Sequence, residues 1–286
     1  MKNSPTKLVT TVAELREALA AARRQGKRIG LVTTMGALHE GHLSLVRAAR
    51  AECDVTVVSI FVNPTQFGPN EDFAKYPRTL DADLALLAGC GTDLAFAPAP
   101  EEVYRPGHAT SVDPGRVAEP LEGSFRPGHF RGVATVVLKL LNMVQPDMAF
   151  FGQKDYQQSL VIRRIVNDLN VPTTIRVCPT IREPDGLAMS SRNRYLSPSA
   201  RQDALVLSKC LDLAARLVAD GQRNADAVAA KMRGLIEQVA DARIDYVALA
   251  DPETLEPVRS IAGPTMALLA VRIGPTRLID NRLLTP

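Results

Sequence analysis

Two of the chain's four histidines, His39 and His42, stand in the run TTMGALHEGHLSLV over residues 33–46. A strand-like stretch ends at Thr34, Gly36 and Gly41 allow a tight turn, and a helical pattern begins near His42. A helix start offers unpaired N–H groups and the positive end of a dipole, which suits a phosphate. Two imidazoles placed there can donate hydrogen bonds to phosphoryl oxygens and stabilise charge that builds up during transfer. Neither GxxxxGK[ST] nor GxGxxG is present, so this is neither a Walker loop nor a dinucleotide fingerprint. A zinc site would need histidines four apart on one helical face; HEGH spaces them three apart and fits poorly. The plain alternative is a pair of polar residues at a helix cap.

Two further runs have the residue types for phosphate chemistry. In FFGQKDYQQSL, residues 150–160, an apolar strand reaches Gly152 and then meets Lys154 and Asp155 at a helix start. Lys154 is well placed there for a triphosphate, although a solvated lysine at a helix start is common. In GLAMSSRNRYLS, residues 186–197, Ser190 and Ser191 supply hydroxyls and Arg192 a planar, permanent cation. Ser197 followed by Pro198 also reads as an N-cap and first helical residue, which explains Ser197 but not the Ser-Ser-Arg cluster.

The elements needed to hold these runs alternate between strand and helix in the first 180 residues. Strands are expected at 28–34, 54–62, 93–97, 148–152 and 173–178, and helices at 11–25, 42–52, 79–88, 131–144 and 156–169. Residues 98–130, rich in Pro, Gly and charge, read as a long functional loop with one strand at most. Two Ala- and Leu-rich amphipathic helices at 197–220 and 225–240 follow, with strands near 244–249 and 265–273. The expectation is an α/β fold: a Rossmann-like doubly wound parallel sheet over residues 1–182 and a smaller α+β C-terminal domain over 183–286. Ligands of such sheets lie beyond the carboxyl ends of the strands, where residues 34–42 and 152–158 fall.

Composition narrows the function classes. The chain has 286 residues, 46% hydrophobic and 23% charged, which excludes global disorder, collagen and a coiled-coil rod. Its charge is 34 − 31 = +3, too small and too dispersed to indicate nucleic-acid binding. Cys53, Cys90, Cys178 and Cys210 fit neither zinc-ligand nor CxxC spacing and read as reduced thiols. No secretory leader is expected in residues 1–28, and no run of 18 apolar residues exists. The expectation is a soluble, cytoplasmic protein with no membrane partner.

TTMGALHEGH, FVNPTQF, YPRT, RPGHFRGVATVVLKL, FFGQKDYQQ and DGLAMSSRNRYLS occur in that order. With these motifs the chain resembles the pantoate–β-alanine ligase family of AMP-forming enzymes in the HIGH-type nucleotidyltransferase superfamily. The resemblance covers nearly the whole length. One departure is Gln153, where the family often has Glu.

The resemblance implies ATP as co-substrate, with Mg²⁺, along Met35, Gly36, Ala37, Leu38, His39, Glu40, Gly41 and His42. It extends ATP binding to Gly152, Gln153, Lys154, Asp155 and Ile181, and to Met189, Ser190, Ser191 and Arg192 in a loop expected to close over the phosphates. His42 is the implied proton donor, and His39, Lys154, Ser190, Ser191 and Arg192 join it in catalysis. Gln66 and Gln158 are implied pantoate ligands, with Asn63, Tyr76, Arg126 and His129 as neighbours. Asp83 and Glu122 are candidate Mg²⁺ ligands. Pantoate and β-alanine are the implied substrates, a homodimer the implied assembly, and the C-terminal domain a lid.

A carboxylate does not react with an amine at neutral pH, so amide formation requires activation. The implied route is attack of pantoate on the α-phosphate, release of pyrophosphate, then attack of β-alanine on the pantoyl adenylate. The alternatives are a small-molecule nucleotidyltransferase, which would stop at a nucleotide-bearing product, and a non-catalytic nucleotide-binding protein. A class I aminoacyl-tRNA synthetase is disfavoured, because no anticodon-binding extension or basic patch is visible.

Overall fold

The computed structural model describes residues 6–69 and 71–286. Residues 1–5, part of the segment read as lacking a leader, and Asn70, in the 63–77 loop, lie outside them. The chain divides into two compact units, Met1–Gly152 with Gln158–Pro179, and Gln153–Gln157 with Thr180–Pro286.

The first unit opens with β1 (Lys7–Val9), α1 (Val12–Arg24), β2 (Ile29–Thr34), α2 (Glu40–Glu52) and β3 (Val55–Ile60). It continues through α3 (Leu80–Gly89), β4 (Leu94–Phe96) and two short helices, α4 (Pro100–Val103) and α5 (Glu122–Phe125). Then come α6 (His129–Val144), β5 (Met148–Gly152), α7 (Tyr156–Asp168) and β6 (Thr174–Cys178). Local chemistry sets several of these starts; Thr11 and Glu14, for example, form a capping box at α1. The strands make one parallel sheet in the order β1-β4-β3-β2-β5-β6. Order reverses at β2 and β5, which are neighbours, so Thr34 and Gly152 end strands at the switch point where such sheets bind ligands. Val32, Val46, Val58, Ala95 and Phe150 pack the core beneath.

The second unit contains α8 (Pro198–Ala204), α9 (Val206–Ala219), α10 (Ala225–Ile236), β7 (Ala242–Ala250), β8 (Thr265–Ile273) and β9 (Thr276–Leu284). The three strands form an antiparallel sheet, β7-β8-β9. Leu207, Leu211 and Met232 from the helices pack with Leu269 and Val271 from the sheet. This is the expected α/β plus α+β fold class, and the five expected strands of the parallel sheet are present.

Several expected details change. β1 was not expected, because three residues are too few to show alternation, and it is an edge strand with Leu8 exposed. β9 was not expected because Arg277, Asp280, Asn281 and Arg282 interrupt its apolar pattern. The single helix expected at 197–220 breaks at Leu205, whose N–H bonds to Gln202 O and whose carbonyl accepts the Ser208 hydroxyl. Residues 98–130 hold short helical turns rather than a strand. The irregular piece near 111–113 is tied to α6 side chains instead: Val112 N–H donates to Thr135 Oγ1 and Arg131 Nε to Ser111 Oγ. Helix α2 begins at Glu40, two residues before the expected start, which changes what the histidines do.

Candidate active site

His39 is the N-cap of α2 and His42 its third residue. The two rings bond back to the helix start: Gly41 N–H donates to His39 Nδ1 at 3.2 Å, and His39 N–H donates to His42 Nδ1 at 3.3 Å. This is a capping box with imidazoles in place of hydroxyl and carboxylate. Because each Nδ1 accepts, each neutral ring carries its proton on Nε2. The rings lie 4.1 Å apart, centroid to centroid, so the pair presents two ring donors at the carboxyl end of β2.

The preceding loop is held from below. Gly36 has φ +79°, and an added Cβ would lie 3.0 Å from Asp83 Oδ2. Ala37 is also left-handed, at φ +51°, a conformation that costs roughly 1–2 kcal/mol in a residue with a Cβ. Asp83, buried in the first turn of α3, accepts from Ala37 N–H at 3.0 Å and Leu38 N–H at 2.8 Å. Thr79 Oγ1 also donates to it. Asp83 thus braces the loop.

A second cluster of the first unit surrounds Gln66, which is 9% exposed. Asn63 Oδ1 accepts from the Tyr104 hydroxyl at 2.8 Å and the Thr65 hydroxyl at 2.9 Å. The Asn63 amide is thereby oriented, and its Nδ2 donates to Gln66 Oε1 at 3.1 Å and Gly132 O at 3.2 Å. Gln66 Nε2 is then the donor end, and it lies 3.1 Å from Met35 Sδ in the histidine loop. The structure therefore brings Met35 of the expected ATP set to Gln66 of the expected pantoate set. Tyr76 is buried with its ring against Phe67, next in sequence to Gln66. Gln158 is half-buried in α7.

Arg126 and His129 hold Gln66 through its main chain. Arg126 makes two 2.7 Å bonds to Glu71. Burial pushes the Glu71 carboxyl up, but the hydrogen bonds and charge of Arg126 outweigh it and leave the group below its ordinary range. Arg126 also reaches Gln66 O at 3.4 Å and lies 3.9 Å from Glu122. His129 lies 2.8 Å from Gln66 O through Nδ1 and 3.0 Å from Arg126 through Nε2. A carbonyl only accepts and a guanidinium only donates, so Nδ1 bears the proton and the ring is neutral. Burial, reinforced by the Arg126 charge, pulls its pKa from 6.5 down to about 4.

That shift predicts a pH dependence. The unfolded chain binds the His129 proton more tightly than the folded one, so the stabilisation is complete above about pH 6.5 and is lost as pH falls toward 4. Its size is about 3 kcal/mol. Urea midpoints between pH 4 and 6.5 are expected to rise less steeply in His129→Asn than in the wild type; equal slopes would assign the dependence to other groups.

In the second unit, Lys154 lies in a single turn, Gln153–Asp155, with Nζ 3.4 Å from Asp155. Buried Asn281 of β9 fixes that turn, its Nδ2 donating to Gln153 O at 3.0 Å and Lys154 O at 2.8 Å. Its neighbour Asp280 takes a two-pronged bond from Arg182, at 2.6 and 2.9 Å. Residues 181–189 form a small hairpin in which Met189 N–H donates to Ile181 O, so those two expected ATP neighbours are adjacent. Ser190 caps the turn Ser191–Tyr195, accepting from Arg192 N–H, and Asn193 ties this turn to Glu183 and Ala188 O.

Glu71, Tyr104, Asp280 and Asn281 were not singled out from the sequence. The polar Asp280-Asn281 pair between the apolar pairs Leu278-Ile279 and Leu283-Leu284 was the one available signal. Among the described residues, no three His, Cys, Asp or Glu side chains gather as a metal cage. Of the two Mg²⁺ candidates, Asp83 braces the histidine loop and Glu122 faces Arg126.

Comparison with known proteins adds an independent finding. The family model described as Pantoate-beta-alanine ligase matches residues 7–283. The chain is 57% identical to the pantothenate synthetase of Moorella thermoacetica, over 97% of this chain and 98% of that one. It is 55% identical to pantothenate synthetase 1 of Bradyrhizobium diazoefficiens, over 98% of each. The crystal structure of a pantothenate synthetase from Thermus thermophilus superposes with a TM-score of 0.94 at 46% identity, over 98% of this chain and 100% of that one. A pantoate-beta-alanine ligase from Francisella tularensis, complexed with beta-gamma ATP and beta-alanine, superposes at 0.80 with 35% identity, over 97% of each.

Proposed function

The chain belongs to the pantoate–β-alanine ligase family, and on that premise we propose how its residues join pantoate to β-alanine with ATP. The observation that carries the reading is the pair of imidazoles capping α2 at the carboxyl end of β2, both with Nδ1 committed to the helix.

In the first step a pantoate carboxylate oxygen attacks the α-phosphorus of ATP. The bond to pyrophosphate breaks and pantoyl adenylate remains. Negative charge moves onto the departing pyrophosphate, and the Nε2–H groups of His39 and His42 are donors suited to it, with His42 as the proton donor. Lys154, Ser190, Ser191 and Arg192 serve the phosphates, with Gly36, Glu40, Gly152, Gln153, Asp155, Ile181 and Met189 as further ATP neighbours. Mg²⁺ bound with ATP would offset charge on the phosphates; its candidate protein ligands, Asp83 and Glu122, are engaged with the histidine loop and with Arg126.

Gln66 and Gln158 bind pantoate. The oriented amide chain leaves Gln66 Nε2 as a donor, matched to the oxygens of pantoate. Asn63, Arg126 and His129 act by positioning Gln66, and Tyr76 by backing its loop. In the second step the β-alanine amine attacks the acyl carbon, the C–O bond to AMP breaks, and the nitrogen loses its proton. This step rests on positioning and on exclusion of water from the anhydride. We place the working enzyme in the cytosol as a homodimer; no described helix is long and apolar enough to cross a membrane.

A product assay with ATP, Mg²⁺ and pantoate, with and without β-alanine, tests the route. AMP and pantothenate in equal amounts, dependent on β-alanine, are expected. ADP would replace the adenylate by an acyl phosphate, and ATP binding without turnover would make the chain a non-catalytic relative.

A further inference from the structure

A cavity of about 490 Å³ opens in the first unit, away from the histidine loop, with Arg16 of α1, Arg105 and His108 of the loop after α4, and Lys139 of α6 in its wall. Glu102 is the one acid in that wall, and it is committed, accepting the Val12 N–H at the start of α1 at 2.8 Å. Among the described residues, Arg16, Arg105 and Lys139 form no ion pair. Three permanent cations from three separate segments therefore face one cavity against one carboxylate. Arg16 and Arg105 are exposed and Lys139 is half-buried, and a cleft lined by one sign of charge concentrates anions. Planar guanidiniums beside an ammonium suit phosphate oxygens, and Met143 gives the cavity an apolar side.

The cavity is also connected to the substrate residues. Lys139 Nζ lies 5.7 Å from the Tyr104 ring centroid, and the His108 ring 5.0 Å from it. The hydroxyl of the same tyrosine orients Asn63, and Asn63 orients Gln66. Lys139 therefore borders both the face of Tyr104 and the cavity.

We infer that this cavity is a regulatory site for a phosphate monoester with an apolar substituent, and that occupancy weakens pantoate binding. The anion draws Lys139 off the Tyr104 ring, and the change reaches Gln66 through Asn63. Two distinct sites and two arrangements of one side chain are what such coupling requires. The coupling rests on the assignment of Gln66 to pantoate; the binding does not.

Phenyl phosphate is the probe, measured by equilibrium dialysis against the full chain at constant ionic strength, without turnover. Saturable binding is expected in the wild type and in Lys154→Ala. In Arg105→Gln/Lys139→Gln, affinity is expected to fall about tenfold or more, and loss of the cation from the Tyr104 ring is expected to leave pantoate KM raised before any probe is added. Arg16→Gln, on the exposed side of α1, replaces the double variant if that protein melts early. The pantoate KM should rise with phenyl phosphate in the wild type and stay constant in the double variant. Loss of binding in Lys154→Ala would assign the probe to the ATP phosphates. Unchanged binding in the double variant, absence of saturation, or binding with no change in KM would each overturn the inference. Absence of any ligase turnover would instead fall on the proposed function, leaving the dialysis to decide the site.

Discussion

His42→Ala is expected to lower pantoate-dependent pyrophosphate release by about a hundred- to a thousandfold, the range found when one preorganised donor to a developing charge is removed. The fold should lose far less. His42 Nδ1 accepts one main-chain N–H at the start of α2, and deletion of a capping acceptor costs about 1 kcal/mol. The two effects separate in one pair of measurements, single-turnover pyrophosphate release and a urea midpoint. Turnover near the wild-type rate in a folded His42→Ala protein would remove the ring from the mechanism and leave it a helix cap. Equal losses in rate and stability would say that the capping box, not the Nε2 donor, matters.

Gly132→Ala is expected to damage both the fold and pantoate binding in the first unit. A Cβ at Gly132 would lie 2.2 Å from Thr65 O, 2.6 Å from Thr65 C and 2.8 Å from Gln66 N. All three are main-chain atoms and cannot swing aside, so the 63–66 turn must move off α6. The move breaks the Asn63 bond to Gly132 O and displaces Gln66. Overpacking of this kind costs about 1–3 kcal/mol, and pantoate KM is expected to rise about tenfold or more, since each lost hydrogen bond to a bound polar group weakens binding by up to that factor. Gly234→Ala is the control, a helical position of α10 where an added Cβ meets nothing within 4 Å. It should be neutral or slightly stabilising, because alanine loses less chain entropy in a helix. Wild-type pantoate KM in Gly132→Ala would show that the close approach of α6 does not place Gln66.

Much of the fold was legible because its elements are long and periodic. The runs at 54–62 and 148–152 are β-branched or apolar strands, and their alternation with helical patterns specifies a parallel sheet. Failures fall where local pattern is weak or overridden. β1 has three residues, β9 hides its apolar face among charges, and 111–113 is irregular and bonded to α6 side chains. For the proposed site, the sequence singles out residues with distinctive chemistry in short runs: His39 and His42, Lys154, Ser190 to Arg192, and Gln66.

The chain order of residue types determined which groups could do chemistry and that a strand end followed by a helix start would carry them. Those signals are local, because a turn, a cap and a strand each depend on a few consecutive residues. Only the tertiary structure decided how those groups are held. Asp83 reaches a loop 45 residues earlier, Tyr104 sets the polarity of the Asn63–Gln66 amide chain, and Asn281 ties down a turn 127 residues before it. Such contacts leave no period in the sequence, because a polar side chain buried by distant partners looks the same in the sequence as one facing water.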